Sequence, residues 1–328
     1  MAINYWLGGA SGNEGDFETV ANWSTGAFPV DGDTIIFSDK AGTASGSVAY
    51  HTNGNHWNLI GDLDRHVDDD TDFVKIIITP EFTGNIGLGY DTPADETSAL
   101  LCSAGEINCQ GQGTYYLTCK ENSGPKDFDL VILDTTNGTL NIGKSDVDGG
   151  ACTEAINVKG TLVFLDAIAS NLAPPEVPKV TNIESGATTT IHKDNSGGTP
   201  DLFCRGGTMY CDSVFTLAEV SGGTFVAGRA GFVPAASVTL AEIKQYGGIV
   251  QWRVESTLQL LTIYSGTCTA YGAEAKTLGN SNVINIHGGT LDLGSEQIAS
   301  VTLGATNVTV ADGATFITPT TAITAWTP

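Results

Sequence analysis

The residues of this chain best equipped for chemistry are its cysteines, its histidines and a run of aspartates, and their spacing decides what each could do. Cys102, Cys109, Cys119, Cys152, Cys204, Cys211 and Cys268 are odd in number and scattered, with no CxxC pair and no histidine at ligand spacing. Zinc sites need clustered donors and disulfide frameworks need pairs, so these read as reduced, mostly buried thiols of a protein made in a cytoplasm. The run GDLDRHVDDDTD at 61–72 holds Asp62, Asp64, Asp68, Asp69, Asp70 and Asp72, and alternating aspartates are calcium-ligand chemistry. An EF-hand loop also requires a central glycine and a closing glutamate at fixed offsets; both are missing, which leaves a charged loop. His287-Gly288-Gly289 is a partial match to a glycosidase Gly-His-Gly signature, but Ile286 stands where the first glycine belongs and no paired carboxylates flank it. His287 therefore reads as a solvent-facing strand residue. Four arginines, Arg65, Arg205, Arg229 and Arg253, poorly supply a site that combines bound calcium with a basic residue. No phosphate loop, nucleophile elbow or Ser/His/Asp order stands out. The expectation is a chain with no catalytic residue, no metal and no cofactor.

The composition says what kind of element carries these residues. Among 328 residues there are 41 Gly and 11 Pro but 2 Met, with Thr, Ser, Asn and Asp in surplus, which favours strands and turns over helices. A net charge of −23, from 37 acidic and 14 basic residues, repels phosphate backbones and argues against nucleic acid as a partner. No stretch approaches the length of a membrane span, and the opening MAINYWLGGA has neither the basic nor the apolar region of a secretion signal.

A repeat organises the strands. Gly113-Thr114, Gly138-Thr139, Gly160-Thr161, Gly207-Thr208, Gly223-Thr224, Gly266-Thr267 and Gly289-Thr290 each precede a short alternating strand, as does Gly248-Ile249. Looser versions stand at Gly186-Ala187-Thr188 and Gly313-Ala314-Thr315, and successive glycines lie 16 to 26 positions apart. A second run precedes each glycine, such as LVIL at 130–133, VTL at 238–240, LLTI at 260–263 and VINI at 283–286. Period-2 alternation turns Leu140, Ile142, Leu162, Phe164, Val250, Trp252, Ile284, Ile286, Leu291 and Leu293 inward, with Asn141, Gln251, Asn285, His287 and Asp292 outward. A corner glycine lets the chain bend with φ > 0 and lets neighbouring rungs pass closely, and the threonine after it can stack on the threonine of the next rung. One rung cannot bury its apolar side chains alone, but stacked rungs build a continuous core. The predicted fold is all-β: a parallel β-helix, or solenoid, of about 22-residue coils over 73–328, with 1–72 as a small N-terminal capping or docking segment. Polar and proline-rich interruptions are expected at 120–129, 171–178 and 192–201. Two or three β-sandwich domains with Gly-Thr hairpins are the alternative.

The N-terminal segment is dense in aromatics: Trp6, Phe17, Trp23 and Phe37 lie among glycines and turn residues in YWLGGASGNEGDFETVANWSTGAFPVDGDTIIFSDK. They suit a cap over the first rung. The opening NYWLGG, then GDF, ANWS, and a Pro and GD before a hydrophobic strand, resembles the start of glycine-rich β-helical virion proteins of tailed bacteriophages. The likeness continues at pattern level through IIITPEFTGNIGL at 76–88, SGGTF at 221–225 and INIHGGTLDL at 284–293, while 41–72 and 120–200 match no such pattern. A related Trp-Gly and Asn-Trp pattern opens units of β-helical autotransporter adhesins, a class the missing secretion signal disfavours. The phage resemblance implies a capsid decoration or cement protein on the outer surface of the virion, assembled in the bacterial host cytoplasm. It would bind the major capsid protein and copies of itself, with a homotrimer expected from capsid symmetry. Trp6, Trp23 and Phe37 are then the expected interface residues. A tail spike or fibre that binds host glycans, with or without cleaving them, is the alternative.

Overall fold

A computed structural model describes residues 2–8, 19–38, 40–42, 48–50, 72–82, 84–86, 100–118, 128–143, 152–164, 177–192, 199–228, 238–253, 256–271, 276–294, 301–303, 307–318 and 323–324. The fold is all-β; the one described helix is a single 3-10 turn, Val20–Asn22. The chain divides into two compact units, 1–176 and 177–328, and the division falls in the proline-bearing run expected to interrupt the repeat. Each unit is a parallel β-solenoid, as the corner pattern predicts.

In the first unit, Ile3–Tyr5 pairs in parallel with Thr34–Phe37, which pairs with Asp72–Ile78, then Ser103–Cys109, Phe128–Ile142 and Cys152–Phe164. Parallel stacking therefore begins at Ile3 and not at the expected boundary near Phe73. The partner strand Thr34–Phe37 lies in the segment assigned to a separate cap, where no Gly-Thr corner marks it. Beyond the corner, Thr114, Thr139 and Thr161 lie in register on successive strands. A true cap is present above the first rung. Ser24 donates its N–H to the Tyr5 carbonyl at 3.0 Å and Tyr5 donates to Ser24 Oγ at 2.9 Å, while Leu7 donates to the Asn22 carbonyl at 2.7 Å. These bonds occupy the outer edge of the first strand, which would otherwise offer unpaired backbone groups.

In the second unit, one column of strands runs Lys179–Asn182, Asp201–Cys204, Leu217–Val220, Val238–Gln245, Ser256–Ile263, Lys276–Ile286 and Asn307–Val310. After the corner a second column runs Ala187–Ile191, Thr208–Cys211, Thr224–Ala227, Ile249–Trp252, Thr267–Ala270, Thr290–Asp292 and Thr315–Ile317. The N-terminal ends of the long strands add a third line, from Val238–Leu240 through Leu258 and Leu278 to Val301–Leu303 and Ile323–Thr324. Thr188, Thr208, Thr224, Thr267, Thr290 and Thr315 stack in register, interrupted by Ile249. Matched positions are as few as 16 residues apart, at Thr208 and Thr224, and as many as 25, at Thr290 and Thr315. Varied spacing with constant register means that the length differences are absorbed between the strands and leave the rungs congruent.

All ten residues predicted to face inward are buried. Two predicted to face solvent are buried as well. Asn141 donates its Nδ2 hydrogen to the Tyr115 carbonyl of the preceding rung at 3.2 Å, and Asp292 accepts the Gly294 N–H at 2.9 Å. Each alternates with core residues as expected, but its polar atom is satisfied by nearby backbone in place of water.

Candidate functional site

The three residues expected at an interface are gathered into one cluster inside the chain. Trp6 and Trp23 meet edge-on with ring centroids 5.1 Å apart, and Phe37 lies 6.3 Å from both. The line of rings continues through Phe82, 5.5 Å from Phe37, to Tyr115 at 6.1 Å. Trp6, Trp23 and Phe37 are 3%, 1% and 0% exposed, so the contact role expected of their side chains is corrected. A small cap has few residues with which to exclude water, and large rings turned inward do so while joining it to the first coils. Among the described residues of 1–38, the large apolar side chains that are exposed are Ile3, Val20 and Val30.

The thiols are equally enclosed. Cys102, Cys109, Cys152, Cys204, Cys211 and Cys268 are free and buried; Cys119 lies outside the described residues. Burial pushes the thiols of Cys109, Cys204, Cys211 and Cys268 up to about 12, with hydrogen bonding to nearby backbone opposing the rise at the first three. Cys102 is raised too, first by burial and then by the charge of Asp72. A nucleophile or metal ligand needs the thiolate, and these sites disfavour it. Of the acidic run at 61–72, the described residue is Asp72. It donates its N–H to Asp31 Oδ1 at 2.8 Å and accepts the Ser103 hydroxyl at 3.2 Å, so it links turns of the coil. Among the described residues, no three His, Cys, Asp or Glu side chains gather where they could hold a metal ion.

What the structure does present to solvent is a column at the corners. Arg205, Ser221, Tyr246, Tyr264 and His287 each precede a corner, and their backbone N–H groups donate to Asn182, Cys204, Val220, Gln245 and Ile263 on the rung before. Rung spacing then sets the spacing of the side chains. Tyr246 and Tyr264 stack at 4.9 Å with their planes 2° apart, and Tyr264 and His287 stack at 5.0 Å and 10°. Both tyrosines are 45% exposed, and His287 faces solvent as its sequence position predicts. Inside the stack the ring faces are used by one another, so the column shows solvent its ring edges and its hydroxyls. The position before each corner is visible in the sequence, but single aromatics spaced about 20 residues apart acquire a common surface only once the register is known.

No family model, curated protein or solved structure matches this chain.

On the inner side of the same corners the polar residues serve the fold. Asn182 donates to the Thr208 carbonyl at 2.8 Å, and Gln245 donates to the carbonyls of Gly248 and Thr267 at 3.0 Å each. They satisfy backbone oxygens that the turn directs inward, a requirement that apolar periodicity does not reveal.

Proposed function

We propose that this chain is a structural protein of a tailed-bacteriophage virion, a decoration or cement protein on the outer surface of the head. The observation that carries the reading is the sustained register of the second unit, where seven successive rungs stay aligned, six of them with threonine after the corner, despite coils of different length. Congruent rungs with a continuous core form a stiff element suited to bridging neighbouring subunits, with affinity summed over symmetric copies. The charge of −23 agrees with an exterior position, since an interior one would face packaged DNA. The resemblance of NYWLGG, GDF and ANWS to phage virion proteins supports the same assignment. Its partners are then the major capsid protein and other copies of this chain, as a homotrimer at three-fold positions, and it is assembled in the host cytoplasm. Quantitative mass spectrometry of purified virions should find hundreds of copies per particle. Virions that lack the chain would reject the assignment.

One observation favours the alternative of a spike or fibre bound to host glycans. The exposed Tyr246, Tyr264 and His287 column offers aromatic edges and hydroxyls against which a sugar could lie. That reading requires only a few copies per tail and binding to host polysaccharide that Tyr246→Ala weakens. Shortening of the polysaccharide by purified protein would make the chain an enzyme.

A further inference from the structure

The outer face of the first unit departs from the polarity expected of a solvated sheet. Its strands Ile3–Tyr5, Thr34–Phe37, Asp72–Ile78, Ser103–Cys109, Phe128–Ile142 and Cys152–Phe164 stack in that order, and their register aligns Tyr5, Ile36, Ile77, Asn108, Ile132 and Ile156 in one ladder. Each of the six lies between two buried residues of its strand and is itself half-buried, as an outward side chain in a stacked column is. At about 4.8 Å per rung the ladder is about 24 Å long. The next column on the same face is Ile3, Thr34, Lys75, Glu106, Leu130 and Glu154. Ile3 is 59% exposed, and Lys75 and Glu106 form an ion pair with each side chain 29% exposed, so water reaches this face. The corresponding column of the second unit reads Thr181, Phe203, Glu219, Lys244, Thr262, Asn285 and Thr309, with a single large apolar residue. A ladder that is aromatic or aliphatic at every rung but Asn108, on a face wet enough to hold an ion pair, marks an interaction surface.

Charge identifies the occupant. With 37 acidic residues against 14 basic ones, two copies of this chain repel one another over most of their surfaces. The ladder itself carries no charge, and beside it Lys75 and Lys159 stand against Glu106, Asp134 and Glu154, so the repulsion is small here. The Lys75–Glu106 pair is also central, with Lys75 on the third of the six strands and Glu106 on the fourth. A two-fold axis parallel to the strands and lying between these two reverses the order of rungs in the second copy. Lys75 of each copy then faces Glu106 of the other, Ile36 faces Ile132, and Tyr5 faces Ile156. We propose that this outer face is a docking surface for the same face of a second copy, with the two stacks running in opposite directions. The ladder is buried in the contact, and the two ion pairs become a cluster of four charges alternating in sign. A contact this narrow is of the weak, concentration-dependent class. It is independent of the virion assignment, and three-fold assembly would use other surfaces.

Sedimentation velocity of the full chain tests it, and association should rise with concentration. The double variant I36K/I132K should weaken association by about tenfold or more. The fold should tolerate the change, since Glu219 and Lys244 occupy the corresponding column of the second unit. T181K, in that second column, should leave association unchanged. The charges supply a test that reads a gain. K75E and E106K each set like charges face to face in a pair of identical copies, and each alone should associate about tenfold more weakly than the unaltered chain. An equimolar mixture of the two sets opposite charges face to face and should associate about tenfold more tightly than either variant alone. Recovery in the mixture also shows that both variants are folded. A species that stays the same size at every concentration, association undiminished in I36K/I132K, association lost in T181K, or a mixture no tighter than its components would each overturn the proposal. Absence of the chain from virions would leave these measurements standing and reject only the assignment to the phage particle.

Discussion

Gly248 and Gly313 both have a left-handed backbone, with φ of +68° and +84°, but their surroundings differ. A methyl group on Gly248 would lie 2.6 Å from the Gly223 carbonyl oxygen of the preceding rung, while one on Gly313 would meet nothing within 4 Å. Gly313→Ala therefore carries conformational strain alone, about 1 kcal/mol, and Gly248→Ala adds a backbone collision for a loss of about 3 kcal/mol or more. Denaturant midpoints measure both, and equal losses would show that close passage of the rungs is not what requires glycine at the corner. The thiols supply a second residue-scale expectation. In the folded chain Cys109, Cys204, Cys211 and Cys268 hold their protons up to about 12, against about 8.5 for a free cysteine. Their contribution to stability is complete below the unfolded value and is lost as pH rises toward the folded one, because the unfolded state releases its protons first. Stability should fall through that alkaline window, and replacing Cys268 with Ala should make the fall shallower. A thiol reagent at neutral pH should label the described cysteines after unfolding and leave them unlabelled before it.

At the scale of the element, the corner and its two strands repeat, and the exposed rings test how tightly one rung is held to the next. A double-mutant cycle on Tyr246→Ala and Tyr264→Ala should give a coupling of about 0.5–1.5 kcal/mol, since the rings stack directly. The same cycle on Tyr246→Ala and His287→Ala, which do not share a stacked pair, should give a smaller value. Additive losses in both would mean that the column forms without binding its rungs together. Corners were the most legible feature of the sequence because the constraint is local: a glycine, a threonine and an alternating strand suffice to specify one. The looser corners at Ala187 and Ala314 turn out to be tight turns of another kind, each closed by its own bond, from Ala187 to Glu184 at 3.0 Å and from Ala314 to Ala311 at 3.1 Å. Non-local features were harder to read. Thr34–Phe37 pairs with Lys75–Ile78 across a long intervening span, and nothing in either segment names the other. The aromatic density of the cap was plain, but density alone does not tell a ring turned inward from one offered to a partner. Periodicity likewise placed Asn141 on the outer side of its strand without disclosing that a neighbouring rung supplies its hydrogen bond.

At the scale of the whole molecule, charge opposes the compact state. A few oppositely charged groups are paired, with Lys75 2.6 Å from Glu106 and Lys159 3.4 Å from Asp134, both across adjacent strands. Partly exposed pairs of this kind contribute little each, and with 37 acidic residues against 14 basic ones most carboxylates have only like charges to meet. Salt weakens attraction and repulsion alike, so the sign of its effect reports which dominates. Raising NaCl from about 0.01 M to about 1 M shortens the screening length from about 30 Å to about 3 Å, and the thermal midpoint should rise. A gain of about 1 kcal/mol corresponds to a shift on the order of 2–4 °C for folding units of about this size. A midpoint that falls with salt would mean that the ion pairs outweigh the repulsion.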